Sequence, residues 1–371
     1  MNKAVIKVVV SGGGTGGHIF PAISIANAIK TKYPDAKVLF VGAENRMEMK
    51  RVPAAGYEIV GLEIAGFDRK HLLRNISVFW KLRKSLAKAK QILKDFNPDI
   101  AIGVGGYASA PTLRSANSLG IPTLIQEQNS YAGVTNKLLA KKADKICVAY
   151  DGMERFFPAD KIVLTGNPYR QDLLSSASRD EAYAFFNLDP TKKTILITGG
   201  SLGSKTLNDS VLSHVPEIKQ SDIQILWQCG EYYFSGLTQE VSKLKVGNIH
   251  LNDFIGRMDL AYKAADLVIS RAGAGAISEL SLLGKPTILV PSPNVAEDHQ
   301  TKNAMALVDK DAAILVRDSE AVENLIATSL AVLADENRLR TLSENILKLA
   351  KPDATEHILS EVIKIIEKRR E

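Results

Sequence analysis

The chain has 371 residues and a formal net charge of +6, with 45% hydrophobic and 24% charged residues. At the usual ~100 to 200 residues per domain, this length predicts two or three domains, and the near-average composition excludes disorder and coiled coil as overall descriptions. The two cysteines, Cys147 and Cys229, form neither a disulfide framework nor a zinc-ligand pattern. No run approaches the ~18 consecutive apolar residues that a membrane-spanning helix requires.

Short β-branched apolar runs alternate with helix-like stretches along the whole chain, which is typical of α/β folds with parallel sheets. In the first half the predicted strands cover residues 5–10, 38–41, 59–64, 100–104, 122–125, 145–149 and 162–165. In the second half they cover residues 194–198, 223–227, 248–251, 267–270, 287–290 and 313–316. The pattern predicts two sheets of six or seven strands.

Both halves begin with a buried strand that runs into a glycine-rich turn, which predicts one architecture used twice. We expect a hinge at Gly166-Asn167-Pro168, because proline disfavours helix at the residue before it. Farther on, Asp353 and Glu356 form a capping-box pattern ahead of apolar residues at helical spacing. The predicted domains are 1–168 and 169–352, followed by a helix over 353–371 that covers a surface on the first domain.

The first glycine turn matches the dinucleotide fingerprint G-x-G-x-x-G at Gly12, Gly14 and Gly17. An NAD site would also need an acid after the second strand, where only Glu44 is available. The dinucleotide fingerprint assigns no role to His18, which follows the turn. The fingerprint alone is therefore weak support for a dehydrogenase.

The second glycine turn, residues 199–203, matches the G-x-S-x-G nucleophile elbow. A complete domain precedes this serine, which is not the order of a hydrolase, and Ser204 interrupts a Walker A pattern. Both turns offer backbone N–H groups at a helix N-terminus, which favour phosphate oxygens. We expect one phosphorylated ligand per domain; the alternative is that these glycines only make tight turns.

Basic residues are concentrated between Asp68 and Lys94, a segment that contains nine Lys or Arg and one acidic residue. The rest of the chain has a slightly negative net charge. A nucleic-acid binder would carry basic residues more widely, so a local anionic partner is favoured. Around Leu72 to Trp80 we expect contact with an anionic membrane surface. From Leu82 to Leu93 we expect an ordinary helix whose apolar residues are core.

Six motifs together resemble the MurG family, the bacterial GlcNAc transferases of peptidoglycan synthesis. They are residues 12–22 (GGGTGGHIFPA), Gly105-Gly106-Tyr107, Gln126-Glu127-Gln128-Asn129, Gly166-Asn167-Pro168, residues 199–204 and the 271–279 loop. The resemblance implies a glycosyltransferase B fold, with two Rossmann-like domains facing across a cleft and a C-terminal helix returning to the first domain. It also implies inverting transfer of GlcNAc from UDP-GlcNAc to the C4 hydroxyl of MurNAc in undecaprenyl-diphospho-MurNAc-pentapeptide.

The resemblance also implies which residues contact the two substrates. In the second domain, the donor contacts would be Ile255 to the uracil, Glu279 to the ribose, Arg170 and Ser201 to the diphosphate, and Gln300 to the sugar. Further donor contacts are expected at Thr15, Gly16, Gly17 and Asn129, and acceptor contacts at Gly13, Gly14 and Tyr107, with residues 13–18 around the acceptor's diphosphate. Glu279 has a purely structural alternative, as a helix-capping acid. The chain departs from some members at His299, where they have glutamine, and at Ala276, where they have threonine.

The implied reaction is one in-line displacement, and a base must remove the proton of the attacking hydroxyl. His18, with an unperturbed pKa near ~6.5, and Glu127 are the candidates, and His18 has the alternative role of positioning the acceptor or holding its loop. No cofactor or metal is expected, because this fold usually neutralises a diphosphate with helix N-termini and arginine.

Two other functions remain open. A non-hydrolysing UDP-GlcNAc epimerase would share the fold and the donor without needing the basic apolar stretch, and a non-catalytic lipid-surface binding protein would need that stretch without Glu279 and Arg170. For a transferase we expect a peripheral location on the cytoplasmic face of the bacterial inner membrane.

Overall fold

The computed structural model describes residues 5–64 and 75–371, except for the side chains of residues 75–79, 171, 172 and 296. The chain forms two compact units, a first unit of Met1–Tyr169 with Lys351–Glu371 and a second unit of Arg170–Ala350. No described helix is long and apolar enough to cross a membrane.

The first unit contains a parallel sheet of seven described strands in the order β3-β2-β1-β4-β5-β6-β7. The strands are β1 (Lys7–Ser11), β2 (Lys37–Ala43), β3 (Glu58–Leu62), β4 (Ile100–Gly103), β5 (Thr123–Glu127), β6 (Lys145–Val148) and β7 (Ile162–Leu164). The helices of this unit are α1 (Gly16–Lys32), α2 (Glu48–Ala54), α3 (Asn75–Phe96), α4 (Ser109–Ser118), α5 (Val134–Leu139) and, at the end of the chain, α15 (Ala354–Arg370).

The second unit contains a parallel sheet of six described strands in the order β10-β9-β8-β11-β12-β13. The strands are β8 (Lys193–Thr198), β9 (Ile223–Gln228), β10 (Ile249–Asn252), β11 (Leu267–Ser270), β12 (Thr287–Leu289) and β13 (Ile314–Leu315). The helices are α6 (Arg179–Phe186), α7 (Lys205–Ser213), α8 (Val215–Gln220), α9 (Glu231–Leu244), α10 (Met258–Ala264), α11 (Ala274–Leu282), α12 (His299–Val308), α13 (Asp318–Ala334) and α14 (Glu336–Leu347). The predicted pair of sheets is confirmed.

The last helix packs on the first sheet's helical layer, as expected. Ile358 and Val362 of α15 are fully buried in the same cluster as Ile25 and Ile29 of α1. At the end of the helix, Arg369 donates 3.0 Å hydrogen bonds to the carbonyls of Pro98 and Asp99. These contacts fasten the C-terminal segment to the first unit.

The predicted capping box at the start of α15 is wrong. Asp353 is the N-cap residue, but its side chain accepts no capping hydrogen bond. Its backbone φ of −96° and ψ of 15° lie outside the extended region that N-cap residues normally adopt. A complete capping box occurs instead at α6, where Ser178 and Glu181 exchange hydrogen bonds.

Each sheet has one point where the strand order reverses, between β1 and β4 in the first unit and between β8 and β11 in the second. Crevices outside the carboxyl ends of the strands at such points are where open α/β sheets bind ligands. The first two glycine turns follow β1 and β8, and the turns at 103–107 and 271–275 follow β4 and β11. The fold therefore puts all four turns at the two switch points.

Candidate active site

In the first unit, the turn after β1 presents three backbone N–H groups to solvent or a ligand. The N–H groups of Thr15, Gly16 and Gly17 donate to no described residue, whereas those of His18 and Ile19 return to the carbonyl of Thr15 at 3.1 and 3.2 Å. The turn begins α1, whose first turn contains no acidic residue. This arrangement can hold an anionic group at the positive end of the helix.

His18 is half-buried, and its ring is oriented by the backbone of the same turn. Its Nδ1 lies 3.1 Å from the carbonyl oxygen of Gly13 and 3.4 Å from Oγ1 of Thr15. Since a carbonyl only accepts hydrogen bonds, Nδ1 carries the proton in the neutral ring and Nε2 carries the lone pair. Burial lowers the pKa of His18, and the opposing effects of Glu127, the Gly13 carbonyl and Glu48 are smaller. The neutral ring is therefore the form present near pH 7.

Glu127 ends β5 and is buried, but its carboxylate already accepts four hydrogen bonds. Oε1 accepts from the backbone and side-chain N–H groups of Asn129, both at 3.1 Å. Oε2 accepts from the N–H of Gly133 and from Nδ2 of Asn136, both at 2.9 Å. With both oxygens engaged in this way, Glu127 fixes the loop after β5, including the predicted contact Asn129.

The turn after β4 packs directly against the turn after β1. A Cβ on Gly106 would lie 2.4 Å from the carbonyl oxygen of Gly13, and one on Gly105 would lie 2.9 Å from Nε2 of His18. Both glycines also have positive φ, so larger residues are excluded here for two reasons. Tyr107, the next residue and a predicted acceptor contact, is 54% exposed and free to meet a ligand.

One residue that holds the turn after β1 in place was missed by the sequence analysis. Glu48, at the start of α2, is 1% exposed and accepts the N–H of Gly14 at 2.9 Å. The N–H of Gly14 is therefore engaged within the protein, and the N–H groups that the turn leaves for an anion are those of the next three residues. In the sequence Glu48 is one of two carboxylates shortly after the second predicted strand, with Glu44, and nothing there sets it apart.

In the second unit, Gln228 at the end of β9 connects the glycine turn to the predicted uracil contact. Its Nε2 donates to the carbonyl of Gly200 at 2.9 Å, and its Oε1 accepts the N–H of Ile255 at 2.8 Å. The N–H groups of Ser201 and Leu202 are paired with nothing in the described ranges. The N–H of Ile255 is therefore already paired, whereas the exposed residues Ser201 and Leu202 have N–H groups that a ligand can use.

Glu279 in α11 is held from both of its oxygens. Oε1 lies 3.5 Å from Nε of Arg170, and Oε2 accepts a 3.1 Å hydrogen bond from the hydroxyl of buried Tyr262. Burial first, and then Glu279 itself, raise the pKa of Tyr262 well above its usual value, so this hydroxyl keeps its proton and donates. A carboxylate oriented in this way can accept the two hydroxyls of a ribose.

The predicted sugar contact Gln300 lies beside strained backbone. Its Oε1 accepts the N–H of Ser292 at 2.8 Å, which ties α12 to the loop after β12. Glu297 and Asp298, which precede α12, both have left-handed φ values, 56° and 53°. Such conformations cost a non-glycine residue about 1 kcal/mol or more and cluster at ligand-binding sites.

The predicted site residues thus fall into separate groups. The structure brings His18, Gly13 and Glu127 together in the first unit, and Arg170 and Glu279 together in the second. Ser201 and Ile255 lie in the loops after β8 and β10, and Gln300 lies in the first turn of α12. Among residues 5–64 and 75–371, no group of three His, Cys, Asp or Glu is placed to hold a metal ion.

The membrane prediction falls largely outside the described residues. Arg69, Lys70, Leu72, Leu73 and Arg74 are not described, nor are the side chains of residues 75–79. Within the described part of α3, Trp80 is 62% exposed and the guanidinium of Arg83 lies 6.0 Å from its ring centroid. Ala89 and Leu93 are buried, in agreement with the prediction of a core-facing helix there.

Two family models match the chain. Residues 8–148 match the glycosyltransferase family 28 N-terminal domain, and residues 194–358 match the glycosyltransferase family 28 C-terminal domain. These ranges contain the turns after β1, β4, β8 and β11.

Similar proteins cover nearly the whole chain. A protein of Parabacteroides distasonis is 60% identical over 98% of this chain and 99% of its own length, and one of Bacteroides thetaiotaomicron is 61% identical over 98% of both. Both are named UDP-N-acetylglucosamine--N-acetylmuramyl-(pentapeptide) pyrophosphoryl-undecaprenol N-acetylglucosamine transferase. Among solved structures, Acinetobacter baumannii MurG has a TM-score of 0.77 and 29% identity, over 97% of this chain and 99% of its own.

The turn after β11 generates a test of whether its glycines serve a ligand. A Cβ on Gly275 would meet nothing within 4 Å, and φ is not positive there, so the folded chain does not itself require glycine. We predict that Gly275→Ala keeps the free energy of unfolding unchanged or raises it slightly. The same variant should weaken binding of UDP, the ligand implied by the resemblance, by about tenfold or more, since a methyl group would crowd the N–H groups of this turn.

Gly236→Ala in α9 is the matched control, because its Cβ also meets nothing within 4 Å. It should raise stability by about 0.5–1 kcal/mol and leave UDP binding unchanged. Thermal melting and calorimetry measure the two quantities. Normal UDP affinity in Gly275→Ala would show that this turn does not approach the nucleotide.

Proposed function

The chain belongs to glycosyltransferase family 28, and on that premise we propose that it is an inverting N-acetylglucosaminyltransferase of peptidoglycan synthesis. It moves GlcNAc from UDP-GlcNAc to the C4 hydroxyl of MurNAc in undecaprenyl-diphospho-MurNAc-pentapeptide. The observation that carries this proposal is the 60–61% identity, over nearly the full length, to two relatives that bear the name of this transferase. The resemblance to the MurG family predicted from the motifs is confirmed by the same relatives.

The second unit has the chemistry to bind the donor. Glu279 accepts hydrogen bonds from the ribose hydroxyls, and the Ile255 carbonyl accepts a hydrogen bond from an N–H of the uracil ring. The free N–H groups of Ser201 and Leu202, together with Arg170, face the diphosphate. These groups also stabilise the charge that develops on UDP as it leaves, so we propose that the reaction needs no metal ion or other cofactor.

The first unit has the chemistry to bind and activate the acceptor. The N–H groups of Thr15, Gly16 and Gly17 were expected at the donor, but they share a turn with Gly13 and Gly14, and we assign them to a phosphate group of the acceptor. Tyr107 follows the neighbouring turn after β4. His18 is the base, because its neutral ring has a lone pair on Nε2 that no described residue occupies. Glu127 is the other candidate base, but it accepts four hydrogen bonds and therefore holds the loop after β5 in place.

One assay separates this proposal from the two alternatives. Radiolabelled GlcNAc is supplied as UDP-GlcNAc together with a lipid-linked MurNAc-pentapeptide acceptor. Label in the lipid product supports the transferase. Conversion of UDP-GlcNAc to its 2-epimer without acceptor would indicate an epimerase, and lipid binding without either reaction would indicate a non-catalytic protein.

We further propose that the protein acts at an anionic membrane surface as a peripheral protein, on the cytoplasmic face of the inner membrane. An undecaprenyl-linked acceptor stays in the bilayer, so the enzyme must reach the headgroup region. The exposed Trp80 with Arg83 beside its ring supports contact there, because aromatic and cationic side chains together suit the interface.

The role of Glu279 is tested by Glu279→Gln. The variant should weaken UDP binding by ~1 to 3 kcal/mol, because it loses a charged acceptor, and should remain folded. Glu320→Gln is the matched control, since Glu320 also pairs with an arginine of the second unit, Arg317, at 3.7 Å. Calorimetry should find wild-type UDP affinity in the control, and wild-type affinity in Glu279→Gln would refute the ribose contact.

The role of His18 is tested by His18→Ala. Without its base the enzyme should transfer GlcNAc ~100-fold more slowly or worse, while UDP affinity stays near the wild-type value. His357→Ala replaces an exposed histidine of the same unit and should transfer normally. If His18→Ala retains most of its turnover, the residue only stabilises its loop.

Membrane binding is tested by reversing Arg69, Lys70 and Arg74 to Glu. Each basic residue near an anionic surface contributes about 1 kcal/mol, so the triple variant should no longer pellet with vesicles rich in phosphatidylglycerol or cardiolipin at low salt. Reversal of three exposed lysines of the second unit, Lys219, Lys243 and Lys310, is the control and should pellet like the wild type. Equal pelleting of both variants at low and high salt would place the membrane contact elsewhere.

A further inference from the structure

Glu48 is a buried carboxylate that bridges two elements of the first unit. Its Oε1 accepts the N–H of Ala43, the last residue of β2, at 3.0 Å, and its Oε2 accepts the N–H of Gly14 at 2.9 Å. Burying a charge is costly unless hydrogen bonds compensate it. No cation of the described ranges pairs with this carboxylate, so the two N–H groups are its compensation.

Two glycines make the space for this side chain. A Cβ on Gly13 would lie 2.1 Å from Oε1 of Glu48, and one on Gly42 would lie 2.7 Å from its Cγ. The carboxylate thus lies directly against the backbone of Gly13. On its other side, Gly13 is in contact with Gly106, where an added Cβ would lie 2.4 Å from the Gly13 carbonyl oxygen. Gly13 is therefore clamped between Glu48 and the turn after β4.

The clamped carbonyl is the one that orients His18. Gly13 presents its oxygen to Nδ1 of His18 at 3.1 Å, and this contact determines which ring nitrogen keeps its lone pair. A shift of the Gly13 peptide would move the ring and weaken the selection of its tautomer. Glu48 also acts on the ring through charge, since it is one of the groups that oppose the lowering of the pKa of His18.

We propose that Glu48 is a positioning residue for the transfer reaction: it holds the Gly13–Gly14 backbone so that His18 presents Nε2 to the acceptor hydroxyl, and its charge stabilises the protonated ring that forms. The inference rests on the proposed function, with His18 as the base. Glu48 touches neither substrate, and its influence passes through the Gly13 peptide and through space.

The charged groups acting on His18 are Glu127 at the end of β5 and Glu48 at the start of α2. Both favour the protonated ring, so removal of either charge lowers the pKa of His18 further. If the neutral ring is the active form, the acid limb of the kcat/KM profile then moves to lower pH. A residue that only packed against the turn would leave this limb in place.

The decisive variant is Glu48→Gln, compared with Glu48→Asp and Gly42→Ala. A glutamine keeps the volume but accepts from only one of the two N–H groups and carries no charge. Glu48→Gln should lose about 10- to 100-fold in kcat and move the acid limb to lower pH. Glu48→Asp keeps the charge on a shorter chain, so its kcat should fall while its acid limb stays near that of the wild type. Gly42→Ala pushes the carboxylate from behind and should also lower kcat.

Titration of isotope-labelled histidine by NMR supplies a readout that needs no turnover. The chain has six histidines, and the His18 signal is the one that disappears in His18→Ala. In Glu48→Gln the His18 ring should titrate at lower pH and show less of the Nδ1–H tautomer. If the wild type transfers no GlcNAc, the proposed function fails, and this titration still decides whether Glu48 governs His18.

Two controls separate these effects from general damage. UDP affinity, whose proposed contacts with the uracil, ribose and diphosphate are all in the second unit, should stay within about twofold of the wild type. Glu44→Gln replaces a nearby partly exposed glutamate that pairs with Lys88 at 3.0 Å, and it should behave as the wild type. An unchanged His18 titration in Glu48→Gln overturns the proposal whatever happens to kcat. If circular dichroism shows that Glu48→Gln does not fold, unchanged kcat and titration in Gly42→Ala overturn it instead.

Discussion

A turn that leaves its N–H groups for a ligand cannot use those same groups to hold its own shape. The turns after β1 and β8 are under this constraint, because the N–H groups at residues 15–17 and 201–202 have no partner among the described residues. Unpaired N–H groups cost free energy only when they are buried, so such a turn must stay open to water or ligand. Its shape must therefore come from side chains that reach in from other elements.

The two units meet this constraint with different chemistry. In the first, the carboxylate of Glu48 holds the Gly14 N–H, and the single hydroxyl proton of Ser109 is shared between the carbonyls of Ser11 and Gly105, at 2.7 and 2.9 Å from its Oγ. In the second, the neutral amide of Gln228 holds the Gly200 carbonyl. A negative charge near the first turn favours a protonated histidine, whereas a neutral amide adds no charge at the second turn. The choice of holding group thus suits the proposed proton acceptor in one unit and the proposed binding of an anionic leaving group in the other.

Much of the fold could be predicted from the sequence, because buried parallel strands are continuous apolar runs and each glycine turn follows one of them. Glu279 could also be singled out, since its place after a glycine turn is local information. Glu48, Gln228 and Tyr262 could not, because each acts on a residue at least 17 positions away and nothing in the spacing shows which strands become neighbours. The predicted capping box at Asp353 was wrong for a local reason: Asp353 and Glu356 have the residue types of a capping box, but the backbone at Asp353 is not extended. The tautomer of His18 depends on the orientation of the Gly13 carbonyl, which the sequence does not show.

The glycines of the four turns separate by what requires them. Gly14 and Gly200 have left-handed φ, at 88° and 81°, so backbone conformation is reason enough. Gly106 and Gly203 would also collide with neighbouring backbone, at 2.4 and 1.9 Å. Gly17, Gly273 and Gly275 have neither reason, since a Cβ there would meet nothing closer than 3.7 Å. Inside a helix glycine is less favourable than alanine by up to about 1 kcal/mol, whereas Gly273 is an N-cap, a position that glycine suits. For Gly17 and Gly275, which lie in helix first turns beside the strand ends, we propose that a ligand occupies the space. By this reasoning we expect the two phosphate-bearing substrates at the first turn of α1 and the first turn of α11.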